Sequence, residues 1–328
     1  MARDEGIDIA KGLGIILVMV GHLRIPNLLN NYIYFFHMPF FVFVSGMFFR
    51  KKGFNDNLKS STRLYLSYLI YGAIFLLLNY IFNRYFELKQ VLDIFLGKPE
   101  GIWSVPYFET FWFIAAIVVI KTTAQVLVPN KFTLAFSFTL FCVVLYLQKS
   151  TPVFANLPFG ISQATALAPF YIIGTMSRSY VMPVRNKLLW FALIFITLST
   201  VVLILFNGNS IQLVNYHLLR VFDPVIALVL GVSGSISLVY LSEHLAVFKN
   251  RLIAYLSHLG EYSFIYFALH VVIFGLVESY TNNPGLSGSI LQTLIMFSSS
   301  LLLIRLLIMG LIQVRPYAPR LTDLILLK

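Results

Sequence analysis

The chain has 328 residues, 59% of them hydrophobic and only 11% charged, with a formal net charge of +11. Soluble domains carry about 25% charged residues; the deficit here runs the whole length, which excludes a soluble domain with one anchor. The basic side chains gather in short loops between apolar runs, a membrane-topology pattern and not a nucleic-acid surface, and the lone Cys142 excludes an internal disulfide or a CxxC metal site.

Ten segments are long or apolar enough to read as spans: 7–24, 32–49, 62–82, 110–128, 132–148, 162–177, 188–206, 223–241, 262–280 and 289–311. The first has no small-residue cleavage site behind it and reads as a retained helix. The expected fold is therefore all-α: a polytopic transmembrane helix bundle of about ten spans, forming a single domain over 1–328. With the N-terminus inside, seventeen Lys and Arg fall in inner segments and six in outer ones, which predicts an N-in, C-in topology. Segments 84–107 and 243–259 read equally as amphipathic surface helices or as packed connecting loops.

The first span, IDIAKGLGIILVMVGHL, sets Asp8, Lys11 and His22 in an apolar helix. Ionisable groups at membrane depth face a bundle interior or a wet cavity. Lys11 and His22 lie within about 20° of each other around the helix and about 16 Å apart along it. Asp8 and Lys11, three apart, can pair on the same stripe. This spacing suits an enzyme using acyl-CoA: Lys11 at a CoA phosphate, and His22 as the base that a hydroxyl needs to attack a thioester near neutral pH. A structural His22 bonded to a neighbouring carbonyl, and a Lys11 that snorkels or only pairs with Asp8, are the plainer alternatives.

The second span, YIYFFHMPFFVFVSGMFF, places His37 before Pro39, a residue suited to the first turn of a helix. His37 sits near the outer end, the side His22 approaches. It either orients or protonates a sugar group or is an interfacial histidine without chemistry. Ser45-Gly46 reads as a small-residue helix contact.

Together, Asp8, Lys11-Gly12 and Gly21-His22, then His37-Met38-Pro39-Phe40-Phe41 and Ser45-Gly46, resemble acyltransferase family 3, the integral membrane O-acyltransferases. That family's first helix carries a basic residue, ten positions, then His. Further matches follow in order: Arg63, Trp112-Phe113, Pro169-Phe170-Tyr171-Ile172-Ile173-Gly174, and Gly260-Glu261-Tyr262-Ser263-Phe264-Ile265-Tyr266 through His270. Ser67-Tyr68 stands where the family often has Pro-Tyr, Lys59 and Arg63 stand for an Arg-x-x-Arg pair, and Phe111 replaces Leu before Trp112. The compact length is similar to the fucose 4-O-acetylase and polysaccharide O-acetyltransferase subgroup.

The resemblance implies an enzyme of the cytoplasmic membrane that moves an acyl group, acetyl by family usage, from acyl-CoA to a carbohydrate or glycolipid hydroxyl, with no bound cofactor. His22 serves as base or as transient acyl carrier, with Asp8 and His37 supporting it. Lys11, Arg63 and Lys59 hold the donor, and Ser45, Trp112, His270 and Arg305 are possible site-lining residues. Trp112 reads equally as an interfacial belt aromatic, and Arg305, deep in the last span, needs a partner such as Glu278 or Asp323. His217, His244 and His258 fall in predicted loops and receive no role. A transporter or exporter of a polysaccharide or glycolipid fits the composition as well; the Lys11-x10-His22 spacing and the His-Met-Pro-Phe-Phe segment separate the two readings.

Overall fold

In hydrocarbon every backbone N–H and C=O must be satisfied within the protein, so apolar runs of this length become helices. The computed structural model describes residues 4–51, 53–99, 104–181, 188–206, 212–281 and 288–327. Of the charges that set the expected topology, Arg3, Lys52, Arg185, Lys187 and Lys328 lie outside these residues.

The helices run α1 (Glu5–Gly21), α2 (Asn27–Tyr34), α3 (His37–Met47), α4 (Phe54–Asn83), α5 (Leu88–Phe95), α6 (Trp112–Val126), α7 (Lys131–Ser150), α8 (Ile161–Val181) and α9 (Leu188–Leu205). A two-stranded antiparallel hairpin follows, β1 (Val214–Asn215) and β2 (Arg220–Val221), then α10 (Pro224–Leu245), α11 (Arg251–Glu261), α12 (Ser263–Thr281), α13 (Ile290–Val314) and α14 (Pro319–Leu326). Each of the ten expected segments contains a described helix, though not each of these helices is long enough to cross a membrane. Six described helices are long and apolar enough to cross a membrane: Ser61–Asn83, Glu109–Val126, Lys131–Ser150, Pro224–Leu245, Ser263–Thr281 and Ile290–Val314.

The second expected span is where the reading of unbroken helices fails. The chain breaks at Phe35 and Phe36 between α2 and α3, with Phe36 outside helical geometry (φ −140°, ψ −14°). Pro39, lacking an N–H, then occupies the first turn of α3, where no intrahelical donor is needed. The loop segments also resolve. Leu88–Phe95 is a short helix capped reciprocally by Glu87 and Gln90. Residues 251–261 form α11, which packs into the bundle against α1 and does not lie out on a surface.

α1 is the central element: it packs against α11, α10, α12 and α3. Its start is fixed by the Asp4 side chain, which accepts from the Ile7 N–H at 3.2 Å. Two crossings bring backbones into direct contact. A Cβ on Gly12 would lie 2.0 Å from the Leu256 carbonyl oxygen, and one on Gly260 would lie 1.7 Å from that of Asp8. Likewise a Cβ on Gly46 would meet the Tyr171 oxygen at 2.1 Å, and one on Gly174 the Phe43 oxygen at 2.1 Å. Glycine is required at these points because the helices touch through main chain. Thr175 seals the second crossing by donating its hydroxyl to the Gly46 carbonyl at 3.1 Å.

Candidate active site

His22 caps the C-terminal end of α1, and its Nδ1–H donates to the Val18 carbonyl at 2.8 Å. A carbonyl only accepts, so the neutral ring carries its proton on Nδ1 and presents Nε2 as a base. Two further histidines use the same device. His37, on the first turn of α3, donates Nδ1–H to the Ile33 carbonyl at 2.9 Å. His270, on α12, faces the carbonyls of Tyr266 at 3.0 Å and Phe267 at 2.9 Å through Nδ1. The His22 and His270 rings meet edge to face with centroids 5.0 Å apart. The Nε2 of His270 is buried without a hydrogen-bond partner.

His22 and His37 line one cavity of about 220 Å³. Tyr34 of α2 and Met38 of α3 add to the same side, and three other elements close the rest. The turn into α6 supplies Glu109, Thr110 and Trp112, α12 supplies Phe267, and the hairpin supplies Asn215, Tyr216 and His217. The hairpin is tied down on both flanks. Asn31 of α2 accepts from the Leu213 N–H at 2.8 Å, and Gln163 of α8 donates to the His217 carbonyl at 2.9 Å. Its turn is closed by Asn215, whose side chain accepts from the Leu218 N–H at 3.0 Å. Trp112 is 8% exposed and packs its ring 5.3 Å from that of His217, so it is a wall of the cavity and not a lipid-facing belt residue.

The other expected site residues lie elsewhere. Asp8 is buried and pairs with Lys11 at 2.6 Å. Neither lines the cavity of His22; on α1 Lys11 sits about 16 Å below it. Arg63 is exposed on α4, and its guanidinium donates to the Asp323 carbonyl at 3.2 Å. Lys59 is exposed one turn earlier. Ser45 is half-buried on α3 beside the Gly46 crossing and does not reach the cavity. Arg305 takes neither expected acidic partner: Glu278 pairs with Arg24 and Asp323 with Arg315. Its guanidinium instead stacks 5.4 Å from the Tyr255 ring of α11.

Sequence reasoning missed Glu109, Thr110, Tyr216 and His217. The signal for the hairpin was its composition. QLVNYHLLRVF is too apolar to lie in water as a loop, and that burial implies a packed wall.

A family model described as an acyltransferase domain matches residues 4–309, nearly the whole chain. In comparisons with curated proteins and with solved structures, nothing matches. A cluster of imidazoles presented to a cavity by apolar helices, on a chain that this model covers from residue 4 to 309, identifies a multi-pass membrane protein belonging to acyltransferase family 3.

Proposed function

We propose that this protein moves an acyl group, acetyl by family usage, from acyl-CoA to a hydroxyl of a cell-surface carbohydrate or its lipid-linked precursor. It works as one domain in the cytoplasmic membrane, with ten crossings and both termini inside. The observation that carries this reading is the tautomer of His22: the bond to Val18 holds the proton on Nδ1 and leaves Nε2 as a base in the cavity wall.

In the reaction, His22 Nε2 takes the proton of the acceptor hydroxyl as its oxygen attacks the thioester carbonyl. The new C–O bond forms, the C–S bond breaks, and the imidazolium returns the proton to the departing CoA thiolate. The backbone carbonyl of Val18, where many catalytic histidines have a carboxylate, fixes the ring through Nδ1. His37 shares the cavity and, with its proton held on Nδ1 by the Ile33 carbonyl, orients a sugar hydroxyl through Nε2. Lys11, with Asp8 as its orienting partner, and the exposed Arg63 and Lys59 meet the phosphates of CoA from the inner side. The axial distance from Lys11 to His22 along α1 is the distance over which the donor's arm carries the acyl group outward.

The test is acyl transfer from labelled acetyl-CoA to a sugar acceptor by the purified protein. His22→Ala lowers turnover by roughly 10²–10⁴-fold while the protein melts normally. Wild-type turnover in that variant eliminates the mechanism.

A further inference from the structure

The cavity holds two hydroxyls with nothing to bond. Thr110 Oγ1 and Tyr216 Oη are both buried, at 4% and 3% residue exposure, and both lack a hydrogen-bond partner. Buried polar groups in a native structure are satisfied by protein, water or ligand. These two come from different elements, the head of α6 and the hairpin, yet both residues line one space. That space, about 220 Å³, has room for one sugar-sized ring.

The walls also set the charge of the occupant. Glu109 is half-buried in the lining. No Lys or Arg is among the described lining residues. An anionic ring would therefore bring a negative charge into a low-dielectric space beside an acidic side chain, with no cation among the described lining residues to meet it. A neutral ring gains there: its hydroxyls donate to Glu109 and pair with Thr110 and Tyr216, while the Trp112 indole offers an apolar face to its C–H side.

We infer that Thr110, Tyr216, Glu109 and Trp112 form the acceptor subsite, and that it selects a single uncharged, polyhydroxylated ring over acidic sugars. This rests on acyl transfer taking place at His22, and it adds which residues choose the acceptor.

The experiment is saturation-transfer NMR on the full chain in lipid nanodiscs without acyl donor. The probes are D-glucose and D-galactose against D-glucuronate and D-galacturonate. The neutral sugars give signal and the uronates bind more than tenfold more weakly. Tyr216→Phe and Thr110→Val, which keep the packing, each weaken neutral-sugar binding by about tenfold. Glu109→Gln narrows the gap between the two classes. Uronates binding as well as the neutral sugars, undiminished binding in the Tyr216→Phe, Thr110→Val double variant, or no signal from any of the four sugars each overturns the inference. Because no donor is present, this result is independent of the His22→Ala turnover result that decides the acyltransferase mechanism.

Discussion

Gly260→Ala is the sharpest test of how the bundle positions its histidines. The added Cβ would lie 1.7 Å from the Asp8 carbonyl oxygen and 2.9 Å from the Gly12 nitrogen, both main-chain atoms that no rotamer change can move. Ordinary contact begins near 3.4 Å, so α1 and α11 must part by roughly 1.7 Å at this point. Overpacking of this kind costs about 1–3 kcal/mol. The shift does not stay local. α12 begins at Ser263, directly after α11 ends at Glu261, so it moves with α11 and takes His270 away from His22 on α1. A misplacement of ~1 Å in a reacting constellation lowers rate by about 10²-fold. The expected result is a lower melting temperature in detergent together with a turnover loss of that order. Gly310→Ala is the control, because nothing lies within 4 Å of its added Cβ; it melts and turns over as wild type. A Gly260→Ala protein indistinguishable from wild type in both assays refutes the argument that this crossing sets the site.

Three further outcomes follow from named contacts. Lys11→Ala strips the buried Asp8 carboxylate of its cationic partner at 2.6 Å, and such losses run to about 3–5 kcal/mol; the Asp8→Asn, Lys11→Met double variant regains stability in a thermal melt yet keeps a raised KM for acyl-CoA. Arg305→Gln removes an exposed stacking contact with Tyr255, so stability falls by about 0.5–1 kcal/mol and acyl-CoA KM is unchanged; a large KM effect would place Arg305 at the donor. Burial holds the hairpin histidine His217 below the usual imidazole range, at about 4. Its folded form binds protons less readily than its unfolded form, so stability is complete above about pH 6.5 and is lost as pH falls toward 4, by up to about 3 kcal/mol. In His217→Gln the stability curve measured between pH 7 and 4 is flatter; an unchanged slope counts against this assignment.

How far the sequence could be read depended on the kind of signal. The helices announced themselves because apolar length alone forces them, and His22 stood out because an imidazole in the GHL end of an apolar run has few reasons to be there. The break at Phe35-Phe36 was hidden, since two aromatics look the same to hydropathy inside a helix or across a kink. Arg305 was assigned an acidic partner because charge pairs with charge in a sequence reading; the structure offered an aromatic face on a helix fifty residues away. The hairpin showed in the sequence only as an unusually apolar loop, and its strands and contacts were hidden. Its strands are two residues each, too short for any alternation to register, and its burial comes from Asn31 and Gln163 on distant elements. His217 and Tyr216 reached the cavity through those long-range bonds, which no local pattern encodes.

The motif residues that carry the family resemblance divide into two physical jobs. His22, His37 and His270 bring ring nitrogens together, and each is locked by a carbonyl of its own preceding turn, so its orientation depends only on its helix. That makes the relative placement of the helices the one remaining variable. Gly12 with Gly260, and Gly46 with Gly174, fix it by main-chain contact, where side chains would leave slack. The two crossings join the histidine-bearing helices in order: Gly12 and Gly260 bind α1 to the α11–α12 unit of His270, and Gly46 and Gly174 bind the helix of His37 to α8, whose Gln163 also holds the hairpin. Read this way, the glycines and histidines form one device. Tyr216 and Thr110, proposed above as the acceptor subsite, lie on the hairpin and the head of α6, outside the glycine crossings of this device.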